Sequence, residues 1–292
     1  MQTKTISKNI KAKMNEWLKS IKDDSLRDAV RDNILVTGGC IASMLTNEQV
    51  NDYDVYIMDM DVLKRLCEYY CKKYDVQIFD GRYKDELIRK EYGGLSVAEY
   101  DVAVRTLKPD QIKLYVGWGY PVEHKEDQLQ VPYRVNFFSP NAISLSDDVQ
   151  IVCRFHGNAE QIHKTFDFIH ATNYWTFKAG LVLNVDALTS ILTKQLKYQG
   201  SLYPLTSIIR LKKFLKRNWN VNAGEQLKIM FQISLLDLTD PDVLEEQLIG
   251  VDVAYFGKLV EILRSNEAKD MTTVYLNEII DKVFGDSDID DV

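Results

Sequence analysis

The chain has 292 residues, 46% of them hydrophobic, a net charge of −7 and four cysteines. This length suits one large domain or two ordinary ones, and no apolar run reaches the ~18–20 residues of a membrane span. The cysteines form no CxxC pair and the basic N-terminus precedes no apolar segment, so neither a zinc ribbon nor a signal peptide is expected, and a reduced, cytoplasmic protein is.

Residues 8–32 alternate charged and apolar groups at helical spacing, predicting an amphipathic helix pair or one broken helix. "NILVTGG" (33–39) reads as a buried strand ending in a glycine turn, "CIASMLTN" (40–47) as a short helix and "DYDVYIM" (52–58) as an alternating strand. "DVLKRLCEYYCKKY" (61–74) returns to helical period, with Cys67 and Cys71 as free thiols. This order predicts an α/β unit. In the mixed segment from about 75 to 148, "VQIFDG" (76–81) and "QIKLYVGWGY" (111–120) read as strands. "YKDELIRKEYGG" (83–94) reads as a helix capped by Gly93 and Gly94. "EHKEDQLQVPYRVNFFSPNAISLSDD" (123–148) holds most of the polar loop material, with Ser139 and Asn141 favouring a turn. "VQIVCRF" (149–155) is a strand, and "NAEQIHKTFDFIHATNYW" (158–175) a helix running into another strand or extended segment.

After Phe177 the segments at 181–200, 205–219, 223–238 and 255–266 all read as amphipathic helices. The expected fold class is α+β. An N-terminal helical segment (1–32) precedes a mixed-sheet head (33–176) with an insertion at about 75–148. A helical domain (177–280) and an acidic tail (281–292) follow. Seven basic residues and no acid lie between Lys194 and Gly224, so an overall acidic chain carries one local basic face suited to phosphates.

The chemistry concentrates between Ile34 and Asp59. Gly38 and Gly39, opening a helix, let backbone N–H groups approach an anion with no Cβ in the way, and Ser43 adds a hydroxyl one turn on. Asp52 and Asp54, at alternate strand positions, project from one face and offer hard oxygen ligands to Mg²⁺, most simply as two ions bridging a triphosphate. The plainer alternative is a turn and a solvated strand edge. Three histidines, His124, His156 and His163, lack zinc-ligand spacing, as does His170, which reads as structural. A P-loop, a dinucleotide GxGxxG and a Ser–His–Asp order are all missing from the sequence.

The strand–GG–helix–DxD–strand pattern resembles the polymerase-β-type nucleotidyltransferase superfamily, whose signature is hG[GS], a short helix, then Dh[DE]h. Within it the likeness is to the tRNA CCA-adding enzyme and poly(A) polymerase group. "FDFIHATNYW" (166–175) stands in the place of that group's RDFTINA-like segment, and "RLKKFLKRNWNV" (210–221) is similar to its later helical motif. The chain also looks like nucleotidyltransferase-like proteins of tailed bacteriophages. The likeness covers roughly 33–60 and 149–222.

The resemblance implies an Mg²⁺-dependent transfer of a nucleoside monophosphate from an NTP, ATP or CTP, to an acceptor such as an RNA or tRNA 3′-end. Asp52 and Asp54 would be the catalytic and metal residues. Gly38, Gly39, Ser43, Arg154, Asp167, Arg210, Lys213 and Arg217 would hold the nucleotide. Arg154 is read either as a phosphate ligand or as an exposed strand-end arginine, and Asp167 either as a third carboxylate or, preferably, as a ligand-positioning group. Two departures motivate a competing expectation of a non-catalytic nucleotide-binding or interaction module. Gln150 stands where a later strand would carry an acid, and Thr165 and Phe166 replace an arginine pair.

Overall fold

The computed structural model describes residues 2–89, 104, 107–116, 119–248 and 273–284. Gly93 and Gly94, the helix expected over 255–266 and most of the acidic tail lie outside them. The chain forms two compact units, Met1–Thr193 and Lys194–Val292.

The N-terminal pattern resolves into two helices, α1 (Thr3–Ser20) and α2 (Asp24–Asn33). Ile6, Ile10, Met14, Trp17 and Leu18 recur on one stripe of α1, and all are buried. The break comes from a new start signal: Asp23 caps α2 by accepting the Leu26 N–H at 2.9 Å.

The first unit is built on an eight-stranded mixed sheet among the described residues, ordered β10-β9-β1-β2-β8-β7-β6-β5. Its centre is β1 (Ile34–Thr37), antiparallel to β2 (Tyr53–Ile57), which runs parallel to β8 (Val149–His156). β6 (Val135–Ser139) and β7 (Ala142–Leu145) extend one side, with β5 (Tyr120–Pro121) at the edge. β9 (Tyr174–Thr176) and β10 (Gly180–Val182) extend the other. A separate ribbon pairs β3 (Gln77–Asp80) with β4 (Ile112–Tyr115). The α+β class expected from the sequence is the class observed.

One face of the sheet, carrying Val36, Val55, Ile57, Ile143, Ile151 and Trp175, forms the main core with α1, α2 and α4 (Met60–Cys71). The four cysteines are buried free thiols. The other face holds a smaller cluster, Leu35, Tyr56 and Ile162, with Phe155, Phe166 and Tyr174 among the partly buried residues packed on it; Ile162 comes from the short helix α6 (Ala159–His163), which follows α3 (Gly39–Thr46), α4 and α5 (Lys84–Arg89) in the chain.

Several expectations are corrected. The stretch 123–148 holds a hairpin besides its loops: β6 and β7 pair, with Val135, Phe138, Ile143 and Leu145 buried, and an irregularity between Val135 and Phe137 spoils the two-residue period. Its turn is the one expected, with Ser139 Oγ accepting the Ala142 N–H at 3.0 Å. The stretch 158–175 is a helix leading into a strand, as expected: α6 is followed by a 3-10 turn (Ile169–Ala171) and β9. Residues 180–182 are strand, and helix α7 (Val185–Thr193) starts after them. Pairing of β9 with β1 ties this segment to the sheet, so the division falls after Thr193 rather than near 176–186.

The second unit comprises α8 (Pro204–Lys216), α9 (Ala223–Ile233), α10 (Pro241–Gln247) and α11 (Thr273–Phe284) among the described residues. Polar side chains lock its loop to α9: Glu225 accepts the Tyr198 N–H at 2.7 Å and Gln232 Nε2 donates to the Ser201 carbonyl at 2.6 Å.

Candidate active site at the glycine turn

Between β1 and α3 stands Gly38, whose φ of 96° and ψ of −153° lie in a region essentially reserved for glycine. A Cβ placed there would fall 2.9 Å from Asp54 Oδ2, so the carboxylate lies directly against the turn. Gly39, by contrast, is exposed, and a Cβ on it would meet nothing within 4 Å. The N-cap residue of α3, Gly38, has no side chain to cap the helix start, and the space beside Gly39 is open.

Thr37 anchors the turn from behind. Its hydroxyl lies 2.8 Å from the Asn173 carbonyl and 3.2 Å from that of Ala171, and the Gly38 N–H donates to the same Ala171 carbonyl at 3.1 Å. His163 Nε2 is 2.9 Å from Thr37 Oγ1. The hydroxyl's single proton goes to a carbonyl, so the imidazole donates from Nε2. Burial pushes the His163 pKa down to about 4, which keeps the ring neutral. Sequence reading gave His163 no role; nothing local could, since Thr37 lies 126 residues away.

Asp54 lies within β2, and Asp52 one residue before the strand starts. Val55 and its partner Ile151 are fully buried, so the preceding pair, Asp54 and Gln150, share the opposite, half-buried face. Both aspartates act on one neighbour, Cys40 of α3. Burial raises its thiol far above the usual range, and the charges of Asp54 and then Asp52 raise it further. Gln150 is the register partner of Asp54 on β2 and of Ser144 on β7, and its Nε2 donates to Ser144 Oγ at 3.3 Å.

The remaining predicted residues scatter. Ser43 sits on α3, one turn beyond Gly39, and is buried. Arg154 does not end its strand, which continues to His156, and the exposed reading fails, because the residue is 1% exposed. Its Nη1 lies 3.5 Å from Asn141 Oδ1, and its guanidinium stands 5.8 Å from the Phe155 ring centroid. Asp167 is buried, with Oδ1 accepting the Phe168 N–H at 2.9 Å. Among the described residues no three His, Cys, Asp or Glu side chains gather to hold a metal, so Asp167 does not complete a triad with Asp52 and Asp54. His170 is buried, as a structural histidine should be. Arg210 and Lys213 are exposed on α8, and Arg217 is the residue that ends it; all three belong to the second unit.

Comparison with solved structures finds distant likenesses. The Thermotoga maritima CCA-adding enzyme complexed with tRNA is 12% identical, the match covering 94% of this chain and 56% of that one at a TM-score of 0.39. The Bacillus stearothermophilus CCA-adding enzyme in complex with CTP is 8% identical, covering 78% and 47% at a TM-score of 0.33. Among curated proteins, Gabija anti-defense 2 of Bacillus phage SPbetaL7 is 20% identical over 255 residues, 87% of this chain. The chain spans about half the length of that relative, 49%. The model of the Gabija anti-defense 2 family matches residues 8–194, a stretch that contains the glycine turn, both aspartates and every strand of the large sheet. The chain belongs to the Gabija anti-defense 2 family.

Proposed function

We propose that this protein is an Mg²⁺-dependent nucleotidyltransferase that moves a nucleoside monophosphate from an NTP, ATP or CTP, to an acceptor hydroxyl, with an RNA 3′-end as the first acceptor class to examine. The supporting observation is the packing of the Asp54 carboxylate against Gly38, beside an open helix start at Gly39. An anion-binding backbone and cation-binding carboxylates then meet at one point, which is what a metal-bound polyphosphate requires.

The donor set suits Mg²⁺: Asp52 and Asp54 offer hard carboxylate oxygens at alternate positions of one strand edge. Bound there, the ion would neutralise the triphosphate and make pyrophosphate a better leaving group. Gly38 and Gly39, with Ser43 one turn on, would cradle the phosphates, and Thr37 with His163 would hold the turn in shape. Arg154, Asp167, Arg210, Lys213 and Arg217 come to the nucleotide only through the family resemblance. The name of the phage relative suggests the setting, in which the activity would counteract a Gabija defence.

Incubation with each α-³²P-labelled NTP, Mg²⁺ and bacterial RNA should give labelled product that disappears in Asp54→Ala and Asp52→Ala. Unlabelled acceptors from every NTP, with nucleotide still bound by calorimetry, would defeat the catalytic reading. One observation favours such a binding-only alternative: Gln150, a neutral amide, flanks Asp54 where a third acid would strengthen a catalytic cation site.

A further inference from the structure

We propose that Lys13 of α1 is a positioning residue for the aspartate pair: its ammonium, behind the sheet, clamps Tyr53, the residue between Asp52 and Asp54. The inference rests on the proposed function and adds what holds that site in place.

Tyr53 opens β2, so Asp52 lies just outside the ladder and takes its direction from Tyr53. Two contacts fix Tyr53. Its N–H donates to the Asp148 carbonyl at 2.7 Å, one residue before β8 begins. Its side chain packs against the main core, on the face away from Asp54, and Lys13 Nζ stands over the ring at 5.6 Å from the centroid. The same nitrogen is 5.7 Å from the ring centroid of Tyr133. One ammonium therefore serves two aromatic rings, each attracting it through the negative face of its π system.

The chain around this ammonium is strained. Tyr133, Asp147 and Asp148 have φ of 54°, 61° and 58°, left-handed values that bulky residues keep only when neighbours enforce them. Asp147 Oδ2 does part of the enforcing, accepting the Tyr133 N–H at 2.9 Å and the Ser146 hydroxyl at 2.8 Å. The Tyr133 N–H above all, then Ser146 and the charges of Lys13 and Arg134, hold the Asp147 carboxyl below the usual range against the opposing effect of burial. Lys13 thus acts on β2, on the turn before β6 and on the turn before β8, the three segments that meet at Tyr53. A neutral side chain of the same length would pack there but would attract neither the rings nor the carboxylate.

The test compares Lys13→Met, which keeps the length and loses the charge, with Lys13→Arg, which keeps the charge. Two quantities are read on the full-length protein: hydrogen exchange at the Tyr53 amide, and steady-state transfer from an α-³²P-labelled NTP with Mg²⁺ and bacterial RNA. Lys13→Met should exchange that amide about tenfold faster and lower kcat about tenfold at unchanged KM for the NTP, the scale of two lost cation–π contacts. Lys13→Arg should stay within about twofold of the parent in both, since a guanidinium also binds ring faces. Tyr133→Leu removes one ring from a different element and should shift both readouts the same way as Lys13→Met, which keeps the test decisive if Lys13→Met misfolds. Parent-like exchange or parent-like kcat in Lys13→Met overturns the inference, as does Lys13→Arg failing as Lys13→Met does. If the parent itself transfers no nucleotide, the proposed function fails, and the exchange comparison still decides whether Lys13 holds Tyr53.

Discussion

Gly38 and Gly39 are adjacent but play different roles, and substitution separates them. At Gly38 a methyl group meets both a forbidden backbone conformation and Asp54 Oδ2 at 2.9 Å. Gly38→Ala should therefore lower folding stability by about 1–3 kcal/mol in a urea titration and abolish nucleotide binding. At Gly39 a methyl group meets no protein atom. Gly39→Ala should melt like the parent and still lose nucleotide affinity by calorimetry, since the methyl occupies the space a phosphate would enter. Undiminished affinity there would remove the anion from the start of α3. His163 brings a pH dependence of definite sign. Its folded pKa of about 4 lies below the 6.5 of an ordinary imidazole, so the unfolded chain binds the proton more readily. Its contribution is complete above about pH 6.5 and is lost as pH falls toward 4. The parent's stability should decline across that window more steeply than that of His163→Gln, with chemical denaturation at stepped pH as the readout. The glycines and aspartates were legible as residue types at a short spacing. The partner of Thr37 was not, because a hydrogen bond between β1 and α6 leaves no periodic trace in either segment.

Elements announced themselves in proportion to how one-sided their burial is. Helix α1 repeats its apolar residues along a single stripe, and its sequence reads accordingly. The β6–β7 hairpin escaped because the irregularity between Val135 and Phe137 puts its buried residues Val135 and Phe138 three apart, which breaks the two-residue alternation. Helix α6 is only five residues long and owes its existence to a reciprocal cap: Asn158 Oδ1 accepts the Gln161 N–H at 3.0 Å, and Gln161 Oε1 the Asn158 N–H at 2.9 Å. Asn158→Ala should cost about 1 kcal/mol by denaturant titration. Because α6 carries His163, faster amide exchange at Gly38 should accompany that loss; exchange unchanged from the parent would disconnect the helix from the turn.

At the scale of the whole molecule, the large sheet, the main core and both aspartates fall within the first 193 residues, where the first compact unit ends. A 1–193 fragment should accordingly unfold in one cooperative transition and keep nucleotide binding; a fragment without a melting transition would make the helical unit part of the same folding unit. What the amino-acid order determined alone is the local machinery: a strand, a glycine turn, a helix and two alternate acids, all set by neighbours a few bonds apart. Tertiary structure decided the rest. It alone chose β8 as the parallel neighbour of β2, placed Gln150 next to Asp54, and pressed Asp54 onto Gly38. Those choices follow from which apolar faces bury best against one another, a property of the assembled core that no short window of sequence contains.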